Sequence, residues 1–263
     1  MLRRLSNWFK RLRGDSKVQA AQDVILYNLG QQILYTQNNL IALMHHSGLL
    51  PESAERFQML LMRAMVAPCY HKIFYDFFYR HTQGEEIVII DGGVHCGVFS
   101  DLALACGAKV YGFEPNRYLA AFLKKLYAQN PQFVFFEQAI GTQNEIVHFL
   151  NDGESVVSAG AGVVENVCVN HRPTHYDVQS IDFVEFLRHL RTQHPRIHLM
   201  KLDIEGAEFA VLEQLLQTDL LNQIDFVMVE THERFFDNPH EKIQHLKNKI
   251  QAKNLKNIYL DWV

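Results

Sequence analysis

The sequence predicts an α/β protein with a doubly wound, mostly parallel sheet and an N-terminal helical extension. From residue 84 onward, short apolar runs typical of buried strands alternate with amphipathic helical patterns. Before that point, residues 18–83 have helical periodicity nearly throughout. The chain has 263 residues, of which 48% are hydrophobic and 21% charged, so it is long enough for one large domain and an extension.

The first segment, residues 1–17, combines positive charge with an apolar stripe. It has six basic residues and one acidic residue, whereas the rest of the chain has 19 basic and 28 acidic residues. The apolar residues are spaced to share one helix face: Leu2, Leu5, Trp8, Phe9 and Leu12. Two interpretations stay open for this segment, namely peripheral binding to an anionic membrane face and a solvated or partner-packed helix.

The helical extension, residues 18–83, begins with about three imperfect heptads. Their apolar positions lie seven residues apart: Leu26, Ile33 and Leu40. Residues 18–50 either pair two copies of the chain or pack on their own domain, and we expect a homo-oligomer. Residues 56–80 are too apolar for a free helix, so we expect them to cover the domain that follows.

Composition excludes several classes of protein. We expect no membrane-spanning helix, no secretory signal and, because the body of the chain is acidic, no nucleic-acid partner. The four cysteines form no C-x-x-C pair, which predicts reduced thiols rather than a zinc or redox site. A cytoplasmic location follows, with peripheral contact at the inner membrane face left open.

The domain at residues 84–263 is predicted element by element. Apolar runs bounded by turn residues predict the strands Glu86–Asp91, Lys109–Phe113, Phe133–Glu137, Ile197–Asp203, Ile224–Glu230 and Ile258–Trp262. An extra strand or hairpin arm is expected at Ile146–Leu150, and Val178–Ser180 should lead into a helix. Helical spacing predicts Ser100–Cys106, Tyr118–Ala128, Asp182–Leu190, Ala207–Leu216 and a helix from a capping box at Asn238–Glu241 to about Ala252.

The strongest local signal is a glycine-rich turn at residues 91–97, DGGVHCG, which follows the first predicted strand and opens a helix. Its glycines allow a tight turn and close approach to a ligand, and the helix N-terminus offers free N–H groups. Glu114 ends the next strand, 23 residues after Asp91, where an acid can bind both hydroxyls of a ribose. Together these features predict a cofactor that contains a nucleoside.

Two cofactors compete for this turn. A dinucleotide site favours G-x-G-x-x-G, whereas this chain has G-G-x-x-x-G directly after Asp91. An acid at that place would repel a pyrophosphate but suits the cationic amino-acid end of S-adenosylmethionine. We therefore favour S-adenosylmethionine over a nicotinamide cofactor, and the lack of a Tyr-x-x-x-Lys motif in the sequence agrees.

Polar residues follow the two strands at residues 197–203 and 224–230. The carboxyl ends of neighbouring parallel strands meet at the ligand-binding edge of such a sheet. We therefore expect four side chains to converge beside the cofactor methyl group: Asp203, Glu205, Glu230 and His232. His232 is the first candidate for a general base, with a structural histidine as the alternative, and Glu230 either orients it or acts itself. These residues would suit a hard divalent ion, but no ligand-rich repeat spacing supports one, so the sequence predicts no metal.

These motifs resemble the FkbM family of S-adenosylmethionine-dependent methyltransferases. The matching pieces, within residues 86–140 and 178–235, are VIIDGGVHCGVFS, GFEPN, QAIG, VQSIDFVEFL, LMKLDIEGAEFAVL and VMVETHE. The resemblance implies a class I methyltransferase fold and, most often, O-methylation of a sugar or natural-product hydroxyl. The cofactor-binding residues that it implies are Asp91, Gly92, Gly93, His95, Gly97, Glu114, Pro115, Asn116, Gln138, Ala139 and Asp203. Glu205, Glu230 and His232 would face the acceptor.

Two features depart from the family pattern. His95 and Cys96 occupy turn positions where smaller or less reactive residues are expected. The antiparallel seventh strand usual for this fold cannot be placed in the sequence.

Three functions follow from the sequence as alternatives. The first is O-methylation of a sugar hydroxyl in a cell-surface glycan or its precursor. The second is methylation of RNA or protein, and the third is a non-catalytic scaffold that retains the fold. Acceptor contacts are expected from the loops Asn151–Ala161, with Ser155 and Ser158, and Asn170–Asp177.

Overall fold

The computed structural model describes residues 54–151 and 174–262 of the chain. The helices within these ranges are α1 (Ala54–Arg63), α2 (His71–Thr82), α3 (Val98–Ala105), α4 (Arg117–Leu126), α5 (Phe183–Gln193), α6 (Glu208–Leu215) and α7 (Pro239–Ala252). The strands are β1 (Val88–Gly92), β2 (Lys109–Phe113), β3 (Phe133–Phe136), β4 (Ala139–Gly141), β5 (Glu145–Asn151), β6 (Thr174–Asp182), β7 (Ile197–Leu202), β8 (Ile224–Val229) and β9 (Ile258–Tyr259). Short 3-10 turns at Pro68–Tyr70, Leu220–Gln223 and Glu233–Phe235 complete the described elements.

The main sheet has six strands in the order β3-β2-β1-β7-β8-β9, and each neighbouring pair is parallel. Strand order reverses between β1 and β7, which makes their carboxyl ends the switch point at which open α/β sheets bind ligands. The predicted α/β doubly wound fold is confirmed.

Alternate side chains of β1, and of Ile87 just before it, point to opposite faces of the sheet and enter two different hydrophobic cores. Val88 and Ile90 pack on the face that α5, α6 and α7 cover, whereas Ile87 and Ile89 pack on the face of α1 to α4. Because both faces are buried, the strand is a continuous apolar run rather than an alternating one. Leu61 of α1 and Phe74 of α2 are fully buried in the second core, which confirms that residues 56–80 cover the sheet.

A second, three-stranded sheet in the order β4-β6-β5 differs from the prediction. The expected arm at Ile146–Leu150 is β5, which pairs antiparallel with β6 from Glu145 opposite Ser180 to Asn151 opposite Thr174. The predicted short strand Val178–Ser180 is therefore the middle of a nine-residue strand, β6. Residues 174–177, expected in an acceptor loop, belong to that strand.

Among the other differences from the prediction are two element boundaries and one helix cap. Helix α3 begins at Val98, two residues before the expected start. Strand β9 ends at Tyr259 because the chain then leaves the sheet, where Trp262 packs against Phe99 and accepts a hydrogen bond from the Ala67 N–H. Helix α7 begins at Pro239 as predicted, but Asn238 makes no side-chain capping hydrogen bond, so the expected capping box is wrong.

Several sequence predictions fall on residues 1–53 and 152–173, outside the described residues. They concern the basic segment 1–17, the heptads in residues 18–50 and the loop serines Ser155 and Ser158. Within the described ranges, no helix is long and apolar enough to cross a membrane. Within the same ranges, the main sheet has no antiparallel seventh strand.

Candidate functional site

The candidate site lies at the carboxyl ends of β1 and β7, which are adjacent in the sheet. Gly92 is paired with Leu202, and the Asp203 N–H donates to the Gly92 carbonyl over 3.1 Å. The turns that leave these two strands are therefore side by side at the switch point. The predicted convergence of the strand ends at residues 203 and 230 is confirmed, since β8 is the parallel neighbour of β7.

The glycine-rich turn packs tightly against the end of β7. Gly93 has a φ of +81°, and a Cβ there would lie 1.9 Å from the Asp203 carbonyl oxygen. The N–H groups of Gly93 and Val94 both donate to the Phe113 carbonyl, each over 3.0 Å, which joins the turn to β2. Gly97, also left-handed with a φ of +87°, then starts α3, whose first turn leaves N–H groups without intrahelical partners.

Glu114 holds the turn from the other side. One of its carboxylate oxygens accepts from the His95 N–H over 2.7 Å, and the other accepts from the Asn116 N–H over 2.9 Å. Burial raises the pKa of Glu114, while these two donors oppose the shift. Each oxygen keeps a second lone pair, so the carboxylate can still accept from a ligand hydroxyl.

The other predicted cofactor residues have varied positions. Asn116 caps α4, because its side chain accepts from the N–H groups of Tyr118 and Leu119. Pro115 and Gln138 are partly buried beside the ends of β2 and β3, and Ala139 begins β4. Their roles toward a cofactor stay predictions.

Lys201 is a buried cation. Its position in the sequence put it on the same strand face as Asp203, but the sequence predicted no role for it. Its Nζ lies 3.3 Å from Asp91 Oδ1, 3.3 Å from Asp203 Oδ2, and donates to the Gly93 carbonyl over 2.6 Å. Burial alone would lower the pKa of Lys201, but the two carboxylates raise it. The lysine thus ties the glycine-rich turn to the end of β7.

Asp91 lies beneath the turn rather than on its surface. It is fully buried, and its Oδ2 accepts a hydrogen bond from Ser100 Oγ over 2.6 Å. With Lys201 on its other oxygen, Asp91 supports the turn from below. The carboxylate that faces outward beside the turn is Asp203, whose side chain is 29% exposed.

His232 lies at the centre of an acidic cluster that we name the His232 cluster: His232, Asp203, Glu205, Glu208 and Glu230. Its Nε2 is 3.3 Å from Glu205 Oε2, 3.8 Å from Asp203 Oδ1 and 4.0 Å from Glu230 Oε1. Its Nδ1 is 3.2 Å from Glu208 Oε1. The imidazole is 1% exposed, whereas the side chains of Asp203 and Glu230 are 29% and 34% exposed, so Glu230 is the most exposed of the carboxylates that face Nε2.

The cluster shifts the pKa values of its members. Burial, reinforced by the charge of Asp203, raises the pKa of Glu205 to about 7 and also raises that of Glu230. Burial alone would lower the pKa of His232, but the Glu208 hydrogen bond and the charge of Glu205 raise it instead. A raised pKa favours the protonated imidazole, which is a poor proton acceptor.

Glu208 is a site residue that the sequence analysis left out, although it ends the motif D-I-E-G-A-E. Its carboxylate is fully buried and accepts from the N–H groups of His232, over 2.7 Å, and Gly206, over 2.8 Å. It therefore joins the turn after β7 to the turn after β8. The sequence signal was available, because an acid inside an otherwise apolar helical pattern needs buried partners.

The donor set at this edge fits S-adenosylmethionine. Glu114 can accept from a ribose diol, and Asp203 offers a partly exposed carboxylate to a cationic amino group. Gly93 and Gly97, both with left-handed backbone, leave two positions of the turn without side chains beside these two acids. Lys201, the buried cation beside the turn, is paired with Asp91 and Asp203, so its charge is already compensated.

Comparison with known proteins agrees with this geometry. A family model described as a methyltransferase FkbM domain matches residues 91–254, which include the glycine-rich turn and the whole His232 cluster. The search of curated proteins and the search of solved structures each found no match.

Proposed function

Because the chain belongs to the FkbM methyltransferase family, we propose that it transfers a methyl group from S-adenosylmethionine to a hydroxyl oxygen of a sugar. The observation that carries this proposal is the position of the His232 cluster directly beside the glycine-rich turn. The turn and Glu114 supply the cofactor subsite, and the cluster supplies carboxylates where the acceptor would lie.

The cofactor subsite would be held by three groups of residues. The glycine-rich turn and the first turn of α3 present backbone N–H groups to the cofactor carboxylate. Asp203 would hold the amino group, and Glu114 the ribose hydroxyls. When bound, S-adenosylmethionine supplies a methyl group on a positively charged sulfur, so that the acceptor oxygen bonds to the methyl carbon as the carbon–sulfur bond breaks and a neutral thioether leaves.

The acceptor hydroxyl must lose a proton as its oxygen is methylated. We assign the proton to the Glu230 carboxylate, because it is the most exposed carboxylate that faces His232 Nε2. His232, the first candidate from the sequence, is buried and faces carboxylates with both ring nitrogens. The role of His232 in our proposal is to hold the cluster together. A positioned general base such as Glu230 contributes a factor of about 10²–10⁴ in rate.

The charge of the site favours a neutral polyol over a nucleic acid. Four carboxylates surround His232, and they would repel a phosphate backbone but accept hydrogen bonds from the hydroxyls of a sugar. The proposal of a sugar as the acceptor is therefore based on the hydrogen-bond acceptors of the site and not on the shape of a pocket.

Labelled methyl transfer tests the proposal. The full chain is incubated with methyl-labelled S-adenosylmethionine and separated glycan, lipid-linked glycan, RNA and protein fractions of its source cell. We expect label in a glycan fraction and at least a hundredfold less with Asp203→Asn, because the cofactor amino group loses its charged partner. Glu213→Gln, a carboxylate-to-amide change on α6 beside Lys249, is the matched control and should transfer as the unchanged chain does.

Each other outcome has a defined meaning. Label only in RNA or protein would replace the sugar by that acceptor class. Full transfer by the Asp203→Asn variant would contradict the site assignment.

A further inference from the structure

We propose that Asp203, Glu205 and His232 bind a divalent cation that accepts both oxygen and imidazole ligands, such as Mn²⁺. The inference rests on the proposed function for the role of the ion, but its binding can be tested without cofactor or acceptor. It departs from the sequence analysis, in which no ligand spacing predicted a metal.

The first observation is the geometry of the three ligand atoms. One carboxylate oxygen each from Asp203 and Glu205 and one ring nitrogen of His232 all lie within 4.8 Å of one another. An octahedral ion with ligand bonds of about 2.1 Å places neighbouring ligands about 3 Å apart and opposite ligands about 4.2 Å apart. The distances of 3.3 Å and 3.8 Å from His232 Nε2 to the two carboxylates are therefore close to those of a ligand set around an ion.

The second observation is a buried carboxylate oxygen that lacks a hydrogen bond. Glu205 Oε2 is buried and makes no hydrogen bond to any described residue, although it faces His232 Nε2 across 3.3 Å. The side chains of His232 and Glu205 are only 1% and 14% exposed, so little solvent reaches the space between them. Buried polar atoms in folded proteins nearly always have partners, so Glu205 Oε2 indicates a ligand at this place.

The third observation is the partner of the other ring nitrogen. His232 Nδ1 is 3.2 Å from the fully buried carboxylate of Glu208. A histidine that ligates a metal almost always donates its second ring N–H to a carboxylate or carbonyl, which fixes the tautomer and aims the free nitrogen at the ion. Glu208 is itself fixed by two backbone N–H groups, so it can hold the imidazole in that orientation.

The charges around the imidazole agree with a cation. The four carboxylates of the cluster face one imidazole, and Arg234, which pairs with Glu205 Oε2 at 4.0 Å, is 61% exposed. Lys201 is shared with the additional carboxylate Asp91. Two carboxylates and one imidazole form a mixed ligand set: the carboxylates suit Mg²⁺, Ca²⁺ and Mn²⁺, whereas the imidazole suits first-row transition metals, and Mn²⁺ belongs to both groups.

In the proposed transfer, Asp203 would share its carboxylate between the cofactor amino group and the cation, with Oδ1 toward His232 Nε2 and Oδ2 toward Lys201. With Asp203, Glu205 and His232 as ligands, open coordination positions would take the acceptor hydroxyl and lower its pKa. The hydroxyl proton would then pass to Glu230, which is 4.0 Å from His232 Nε2 and outside the ligand set. The ion changes neither its charge nor its oxidation state in this step.

Electron paramagnetic resonance with Mn²⁺ tests the inference, because bound Mn²⁺ loses the signal of the free ion. The full chain is treated with a chelator, desalted and titrated with Mn²⁺ without cofactor or acceptor. We expect one saturable site per chain, with binding weakened at least about tenfold by Glu205→Gln and by Asp203→Asn, since each removes a ligand charge. Glu213→Gln should bind Mn²⁺ as the unchanged chain does, and circular dichroism checks that every variant is folded.

Two results would overturn the metal site. One is no saturable Mn²⁺ binding by the unchanged chain, and the other is Mn²⁺ binding by both ligand variants that is as tight as that of the unchanged chain. Methyl transfer that persists after chelation would leave the proposed function standing without the metal. Mn²⁺ binding without any methyl transfer would leave the metal site standing without the proposed function.

Discussion

At the scale of single residues, the site depends on buried charged groups as well as on its exposed side chains. Lys201 pairs with the buried Asp91 and donates to the Gly93 carbonyl. One side chain therefore contacts both the buried carboxylate beneath the glycine-rich turn and the backbone of the turn itself. Removing one partner of such a buried pair typically costs about 3–5 kcal/mol, because the other charge stays buried without compensation. Lys201 therefore acts as a positioning residue.

Gly93 offers a direct test of the packing of this turn. A Gly93→Ala change would place a Cβ 1.9 Å from the Asp203 carbonyl oxygen, so the turn and the end of β7 must separate. We expect a loss of unfolding free energy, measured in urea, well above the roughly 1–2 kcal/mol that a left-handed alanine costs by itself. Binding of S-adenosylmethionine should be lost as well.

Gly84→Ala is the matched control for that change. Gly84 has a φ of +90°, but an added Cβ would meet nothing within 4 Å among the described residues. Its substitution should cost only the conformational term. Equal losses for the two alanine variants would show that the Gly93 contact with β7 is not what holds the turn.

At the scale of elements, the amino-terminal ends of β1 and β7, opposite the candidate site, are joined by a different polar group. His198 on β7 accepts the Val88 N–H at Nδ1 over 3.0 Å, so its proton is on Nε2, which donates to Glu85 over 3.1 Å. Glu85 also accepts from Arg80 of α2. These contacts tie α2, β1 and β7 together, far from the strand ends that form the site.

The contribution of these contacts to the stability of the protein should depend on pH. Hydrogen bonds from Arg80 and His198 lower the pKa of Glu85 to about 2. A depressed carboxyl pKa contributes stability above its ordinary value, near 4.5, and that stability is lost as the pH falls toward 2. We therefore expect Glu85→Gln to lower the thermal midpoint at pH 7, with a difference from the unchanged chain that shrinks below pH 4.5.

Asp76→Asn is a suitable control for the pH experiment, because Asp76 is an exposed partner of the same arginine. Its effect should be small at every pH. A difference for Glu85→Gln that stays constant between pH 7 and pH 2.5 would contradict the assigned pKa shift.

Elements buried on both faces were predictable from the sequence, whereas the edge elements were not. Strands β1 and β7 are buried throughout, so their apolar runs are unambiguous. Strand β6 has the polar sequence THYDVQSID, in which Tyr176 and Val178 are only partly buried, and 22 residues separate it from its partner β5. Pairing across such a gap leaves no local signal, so only the segment Val178–Ser180 of β6 was predicted.

At the scale of the whole molecule, the sheet joins the site to the N-terminal helices. Phe77 of α2 packs against His198 and Phe226 under the same sheet that ends in the glycine-rich turn. The described helices before residue 84 are thus part of one core with the site, although the sequence treated them as an extension. Their apolar composition predicted that they cover the following domain, but it did not identify which face of the sheet they cover.

The candidate site was predictable as far as the strand ends determine it. The sequence placed Asp203, Glu205, Glu230 and His232 at one edge, and the structure brings them together. The contacts of Lys201 with Asp91 and of Glu208 with His232 were not predictable, because these partners lie more than 20 residues away and are reached only through the fold. Buried ionic partners are a tertiary property, whereas strand order follows from alternation along the chain.

The central claim is that this edge of the sheet binds the methyl donor, and a calorimetric titration with S-adenosylhomocysteine, the product of transfer, tests it most directly. We predict one site per chain and affinity at least about tenfold weaker for Glu114→Gln, because a carboxylate that binds two ribose hydroxyls becomes a neutral amide. Glu137→Gln, an exposed change beside Lys124 at the end of β3, is the control and should bind as the unchanged chain does. No binding by the unchanged chain, or equal binding by Glu114→Gln, would contradict the claim.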